Sequence, residues 1–157
     1  MTPAISELDK AGIKYELFHY DHDPSCQSYG DEAVNKLGVD TQSVFKTLLS
    51  ELSTGEVVTC LIPVSSFLNL KALSKAAGVK RASLADGKVA ERKTGYVLGG
   101  ISPFGQNYQH RTFVEEYALS MSSIYVSAGR RGLEIRVAPD AFSVLLDASF
   151  VTLINHD

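Results

Sequence analysis

The chain has 157 residues and a formal net charge of −3, with 45% hydrophobic and 21% charged residues. This balance is typical of one soluble globular domain, so we expect a single domain over residues 1–157. An acidic chain argues against tight autonomous binding to DNA or RNA, because neutralising phosphates requires a basic surface. No apolar run is long enough to span a membrane. With two cysteines and no secretory signal, the sequence predicts a cytoplasmic protein with free thiols.

The N-terminal segment predicts a helix followed by a strand. Thr2 offers an N-cap hydroxyl and Pro3 is favoured at the first helical position, while Gly12 can end the helix in the left-handed conformation. Residues 13–20 alternate apolar and polar side chains, which predicts a half-buried strand with Leu17 on its apolar face.

The centre of the chain predicts a hairpin between helices. Residues 44–52 and 57–64 are apolar runs separated by a short turn sequence, which is typical of two antiparallel strands. The second run is nearly all apolar, so we expect a central strand covered on both faces. Helices are predicted at 31–37, 70–77 and 85–92.

The C-terminal part predicts further short strands at 111–114, 124–127, 133–137 and 150–154, with a helix from Pro139 to Leu146. Strands and helices follow in irregular order, which disfavours a doubly wound parallel sheet. The prediction is therefore a mixed α/β (α+β) fold. It has a curled, barrel-like sheet of about six to seven strands with helices packed around it.

Lys46 lies inside the apolar run at 44–49. The ordinary interpretation is a lysine on the solvated face of a strand, and the functional one is a cation projecting into a pocket. Residues 99–105 and 127–132 are glycine-rich and each follows an apolar run. Both are compatible with simple turns or with backbone N–H groups that hold an anion or a developing oxyanion.

A polar segment near residue 20 contains possible metal ligands or a nucleophile. His19, Asp21, His22, Asp23 and Cys26 lie close in sequence, but their spacing matches no known closed metal site. The alternatives are a polar loop bonded to its own backbone and a Cys-His nucleophile pair. We predict no cofactor and no metal.

Taken together, three stretches resemble the YbaK/EbsC family. They are FKTL around Lys46, TGYVLGGISPFGQ at 94–106 and IYVSAGRRGL at 124–133. The resemblance runs the full length, because MTPA at the N-terminus, YDHDP at 20–24 and GDE at 30–32 also fit. That family contains aminoacyl-tRNA deacylases related to the editing domain of bacterial prolyl-tRNA synthetase. The resemblance implies a mixed, barrel-like sheet surrounded by helices.

The resemblance also implies the site residues. The family's pocket lysine matches Lys46 and its glycine pair matches Gly99 and Gly100, which are the predicted catalytic residues. The predicted substrate-binding residues are Tyr20, Tyr29, Thr47, Ile101, Ser102, Ser127, Ala128, Gly129 and Glu134. The chain departs from the usual pattern at Tyr29 (phenylalanine), Ala128 (glycine) and Glu134 (aspartate).

The implied activity is removal of cysteine in trans from mischarged Cys-tRNA(Pro), and also from Cys-tRNA(Cys). The expected partners are the aminoacyl-tRNA, bound weakly by the protein alone, and prolyl-tRNA synthetase. The cysteine thiol would attack its own carbonyl and release tRNA, with Lys46 as a charged positioning group rather than a neutral base. One alternative is a deacylase for another amino acid, such as alanine, that uses activated water. Another is a non-catalytic module that binds tRNA or the synthetase.

Overall fold

The computed structural model describes residues 1–155, so the last two residues of the predicted domain lie outside it. Five α-helices and eight strands form within this range. The helices are α1 (Pro3–Ala11), α2 (Tyr29–Leu37), α3 (Leu70–Ala77), α4 (Gly87–Thr94) and α5 (Asp140–Leu146). The strands are β1 (Glu16–His19), β2 (Phe45–Leu52), β3 (Val57–Pro63), β4 (Ala82–Leu84), β5 (Thr112–Glu115), β6 (Ile124–Arg130), β7 (Leu133–Val137) and β8 (Ser149–Val151).

The strands of residues 1–155 form two sheets. The larger has the order β4-β2-β3-β5-β8, and the smaller has the order β1-β7-β6. The larger sheet is mixed, because β2 pairs antiparallel with β3 and β4 while β5 pairs parallel with β3 and β8. A parallel bridge between Val44 and Tyr125 joins the sheets where β2 begins. The mixed α/β prediction is confirmed, although the described strands curl into two joined sheets and do not close into a barrel.

The hairpin and its central strand are confirmed. β2 and β3 pair from Phe45↔Pro63 to Glu51↔Val57. Successive residues of β3 face different cores: Leu61 packs in the cluster under the smaller sheet and α1, and Cys60 and Ile62 pack in the cluster that contains Leu73 of α3. Burial on both faces explains why the strand is almost entirely apolar.

The helix ends follow their capping residues. The Thr2 hydroxyl accepts from the Ile5 N–H at 3.3 Å, and the Asn69 side chain accepts from the Ala72 N–H at 3.0 Å. Glycines with left-handed φ end four of the helices of residues 1–155, at Gly12, Gly38, Gly78 and Gly95. In the part of the chain described, no helix has both the length and the apolar character needed to cross a membrane.

The predictions for the first and the last strand are wrong in detail, and one strand has no prediction. β1 is shorter than the predicted strand, and Leu17 is 41% exposed while Phe18 and Tyr20 pack against the cluster around Tyr125. The predicted alternation does not continue through residues 13–20 because β1 begins only at Glu16: Ile13 and Tyr15 pack against the main core before the strand starts. The last strand covers 149–151, and β4 was not predicted at all. Three residues at a sheet edge carry too little alternation to be recognised.

Candidate active site

A cavity of about 360 Å³ opens between the two sheets. Its walls come from β2, the first turn of α2, the loop after α4 and the facing strands β6 and β7. Eight of the predicted residues line it: Tyr20, Tyr29, Lys46, Thr47, Gly99, Ile101, Ser127 and Glu134. The other four, Gly100, Ser102, Ala128 and Gly129, are outside this lining; the first three are buried and Gly129 is half-buried. Segments that are distant in sequence therefore meet at one site.

Lys46 lies near the start of β2, opposite Ile62 of β3. Its side chain is half-buried and lines the cavity. Burial lowers the pKa of the ammonium group, and the charge of Asp31 in α2 acts in the opposite direction. The Nζ atom also lies 5.7 Å from the ring centroid of Phe67, on the loop after β3. Lys46 is thus a pocket lysine with a carboxylate and an aromatic ring as neighbours.

Glu134 supplies a buried carboxyl group on the opposite wall. It lies on β7 in register with Ser127 of β6, and only 5% of its surface is exposed. Burial raises the pKa of Glu134 to about 8, so the group is mainly protonated at neutral pH. Burial, followed by the charge of Glu134, raises the pKa of the nearby Tyr20 phenol to about 12. This wall therefore presents neutral hydrogen-bonding groups at pH 7.

The Gly99 and Gly100 pair forms a tight turn beside Tyr29. The Gly100 N–H donates to the Val97 carbonyl at 2.9 Å, and Gly99 has a φ of 83°, as a type II turn requires at its third residue. A Cβ atom on Gly99 would lie 2.6 Å from the Tyr29 ring. Among the hydrogen bonds of residues 1–155, none has the Gly99 N–H as donor. The N–H of Gly99, which lines the cavity, is therefore without a hydrogen-bond acceptor among the described residues, whereas the Gly100 N–H is used in the turn.

Gly100 has a packing function. A Cβ atom there would lie 2.6 Å from the Cα of Arg130, so a larger residue would separate the two glycine-rich loops. Arg131 ties the same loops together, because its Nε donates to the Leu98 carbonyl at 2.7 Å. Its guanidinium also lies 4.7 Å from the centroid of the Tyr29 ring. The two loops thus build one wall of the cavity jointly.

The residues behind the lining hold the loops in place. Ser102 is fully buried, and its hydroxyl accepts from the Phe104 N–H at 3.3 Å. The Ser127 hydroxyl accepts from the Gly129 N–H at 3.2 Å, at an irregularity in the β6 and β7 pairing. Gly129 has a φ of 113°. Ala128 is fully buried in the main core.

The polar segment near residue 20 is organised by Glu32 of α2. This buried carboxylate lies 2.6 Å from His22 Nδ1 and accepts the Asp23 N–H at 2.7 Å. Burial raises the pKa of Glu32, but the bonds from Asp23 and His22 more than offset it and hold the pKa below its ordinary value. Within residues 1–155, no three His, Cys, Asp or Glu side chains are grouped as metal ligands. Cys26 and Cys60 are free thiols outside the cavity lining.

Sequence reasoning missed two neighbours of Lys46. Asp31 lies in the first turn of α2 and lines the cavity, although it is not among the predicted site residues. Phe67 was not singled out, because a lone aromatic residue in a loop has no pattern. Only the path of the chain after β3 places its ring beside Lys46.

Comparisons with known proteins place this chain in a family. Residues 23–145 match the aminoacyl-tRNA editing domain model. The chain is 37% identical over 156 residues to a protein of Enterococcus faecalis named "Putative Cys-tRNA(Pro)/Cys-tRNA(Cys) deacylase EbsC". The match covers 99% of this chain and 94% of that protein.

Two solved structures share the fold. One is a hypothetical protein, with a TM-score of 0.88 and 22% identity, over 98% of this chain and 99% of the other. The second is "a putative trans-editing enzyme for prolyl tRNA synthetase", with a TM-score of 0.81 and 19% identity, over 98% and 96% of the two chains. The predicted family relationship is confirmed: the chain belongs to the aminoacyl-tRNA editing domain family.

Proposed function

We propose that this protein is a trans-editing aminoacyl-tRNA deacylase that releases cysteine from Cys-tRNA(Pro) and from Cys-tRNA(Cys). The name of the E. faecalis relative and the family model both support a deacylase. The observation that carries the proposal is the composition of the cavity. Lys46 and the bare backbone of Gly99 face it, and within residues 1–155 no histidine or cysteine lines it. Such a site positions a substrate and stabilises charge, and its described lining lacks the histidine on which the usual Ser-His and Cys-His pairs depend.

The reaction that fits this site uses the thiol of the substrate. The cysteine sulfur attacks the carbonyl carbon of its own ester, and a C–S bond forms while the C–O bond to the ribose breaks. The thiol proton ends on the ribose oxygen, so tRNA leaves with a free hydroxyl and a cyclic thiolactone forms. Intramolecular attack in a held geometry can contribute up to about 7–11 kcal/mol. The protein then has to supply orientation and oxyanion stabilisation.

Lys46 and Gly99 are assigned to orientation and to oxyanion stabilisation, respectively. We assign the Lys46 ammonium to orienting the terminal nucleotide or the ester oxygen, since it projects from β2 into the cavity. We assign the Gly99 N–H to the developing oxyanion, because Gly99 lines the cavity and its N–H donates no hydrogen bond within residues 1–155, whereas the Gly100 N–H is bonded to Val97. One well-placed donor of this kind contributes about 3 kcal/mol. Gly100 supports the site by allowing close approach of the Arg130 backbone.

The proposal extends to partners and location. The substrate is an aminoacyl-tRNA, and prolyl-tRNA synthetase is the partner that would recruit an acidic deacylase with a net charge of −3 to its tRNA. The solved trans-editing enzyme of the same fold is linked by its description to that synthetase. We place the activity in the cytoplasm, where translation supplies the substrate.

A deacylation assay with the purified protein tests the proposal, with and without prolyl-tRNA synthetase. Lys46→Ala should lose most of the activity on Cys-tRNA(Pro) while keeping its fold, whereas Lys10→Ala, at an exposed position on α1, should behave as wild type. Ser-tRNA(Pro), which lacks the thiol, should react poorly. Full activity in Lys46→Ala would refute the assignment. No release of amino acid under any condition would favour a non-catalytic binding module.

A second candidate follows from Glu134. A carboxyl group that is 5% exposed and lines the cavity could activate water once the substrate ammonium stabilises its ionised form. Such an enzyme would act on an amino acid without a thiol, such as alanine. Ala-tRNA would then react as fast as Cys-tRNA, and Glu134→Gln would abolish both reactions. Under the thiol mechanism, Ala-tRNA is inert and Glu134→Gln retains activity on Cys-tRNA.

A further inference from the structure

Positive charge is concentrated in one segment of this acidic chain. Residues 70–94, which contain α3, β4 and α4, hold seven of the 15 basic residues and only two of the 18 acidic ones. All seven side chains are exposed. None of them belongs to an ion pair among residues 1–155, although other cations, such as Arg111 with Glu56, are paired. We call this surface the basic strip; its cations are Lys71, Lys75, Lys80, Arg81, Lys88, Arg92 and Lys93.

The basic strip borders the cavity. β4 pairs with the end of β2, and the Ala85 N–H donates to the Leu49 carbonyl at 2.9 Å, next to cavity-lining Leu48. α4 begins against Leu98, another lining residue, whose side chain leaves only 2.8 Å for a Cβ atom on Gly87. The Leu98 N–H also donates to the Glu91 carboxylate at 2.9 Å. The elements that carry the cations of the strip therefore adjoin β2 and the Gly99 loop, two of the segments that line the cavity.

Phe67 lies beside Lys46 and directly before the basic strip in the chain. It is 87% exposed, its ring centroid is 5.7 Å from Lys46 Nζ, and α3 begins three residues later at Leu70. An isolated exposed aromatic side chain is common, but this one stands beside the lysine of the cavity and four residues before Lys71, the first cation of the strip. Exposed aromatic rings next to cationic grooves are the usual platforms for stacking unpaired bases.

We propose that Phe67 and the basic strip form the surface on which the acceptor arm of tRNA docks. Phe67 stacks an unpaired base at the 3′ end, next to the ester in the cavity, and the strip neutralises phosphates of the stem. This inference rests on the proposed function and adds the docking surface to it. It also accounts for an acidic protein with an RNA substrate, because the charges that face RNA are segregated from the rest of the chain.

Direct binding of uncharged tRNA(Pro) tests the strip independently of catalysis. Lys71→Ala/Lys88→Ala should weaken binding about tenfold and reduce the slope of log Kd against log salt by about 1.5, because two phosphate contacts are lost. The matched control, Lys10→Ala/Lys14→Ala, removes two exposed cations outside the strip and should bind as wild type. Equal losses in both double variants would overturn the proposal. So would unchanged tRNA binding with weakened binding to prolyl-tRNA synthetase, since the strip would then be a protein interface.

A short substrate separates stacking from phosphate contacts. On the cysteinyl ester of a CCA trinucleotide, Phe67→Ala should raise KM about tenfold, whereas the strip variant should match wild type because the stem is absent. Phe67→Tyr should restore the wild-type KM and Phe67→Leu should not. A loss in kcat with no change in KM would overturn the stacking role. If wild type released no cysteine from any substrate, the proposed function would fail, while the tRNA binding comparison would still decide the docking surface.

Discussion

Replacing Glu134 with glutamine should remove a pH dependence from the stability of the protein. The folded protein raises the pKa of this carboxyl group from 4.5 to about 8 by burial. Between these values the folded state holds a proton that the unfolded state has released, so the free energy of unfolding falls as pH rises. One pKa unit corresponds to about 1.4 kcal/mol, so wild type should lose about 4 kcal/mol between pH 5 and pH 8 through this group.

Urea unfolding at a series of pH values from 5 to 9 measures this effect. Glu134→Gln keeps a neutral side chain of nearly the same shape, and its free energy of unfolding should lack the decline of about 4 kcal/mol seen in wild type. Glu51→Gln, at an exposed position on β2, is the matched control and should keep the wild-type slope. If Glu134→Gln and wild type lose stability in parallel from pH 5 to pH 8, Glu134 does not titrate in that range and the neutral cavity wall is wrong.

Three further predictions concern packing and the polar segment. Gly100→Ala should lower the free energy of unfolding by about 1–3 kcal/mol, because the added methyl group overpacks against Arg130. The control is Gly55→Ala, at a glycine that has open space around it and only a left-handed φ of 93°. Equal losses of stability in the two variants would refute the close approach of Gly100 to Arg130. Glu32→Gln should lower the free energy of unfolding by about 1–3 kcal/mol at pH 7. The difference from wild type should disappear at acidic pH, once the pH has fallen below 4.5 and then below the lowered pKa of Glu32 in the folded protein. Cys26→Ala should leave deacylation unchanged, and a large loss would implicate a protein thiol.

Local chemistry made much of the fold predictable. Helix ends followed from Thr2, Asn69 and the glycines with left-handed φ, because capping depends on neighbouring residues only. The hairpin of β2 and β3 followed from two apolar runs and a short turn. Sheet membership could not be predicted in this way, because the joining of two sheets at Val44 and Tyr125 depends on contacts between residues 81 positions apart.

The candidate site was also predictable from the sequence only in part. The resemblance to a known family, confirmed by the comparisons, located the segments around Lys46, Gly99 and Ser127. Which residues of those segments face the cavity is a property of the packed structure. Ser102 lies behind the wall, bonded to Phe104.

The environment of Lys46 could not be predicted from the sequence and depends on the tertiary structure. As a residue in an apolar strand, it is equally compatible with solvent and with a pocket, because a strand alternates its faces whatever covers them. The sequence by itself determined the family, the helices and the hairpin, since these depend on motifs and local periodicity. Only the tertiary structure placed Asp31 and Phe67 beside Lys46, buried Glu134 on the opposite wall and brought β4 and α4, which carry exposed cations, against segments that line the cavity. Burial and proximity result from contacts between segments that are distant in sequence, and they determine the protonation state and the neighbours of each group in the site.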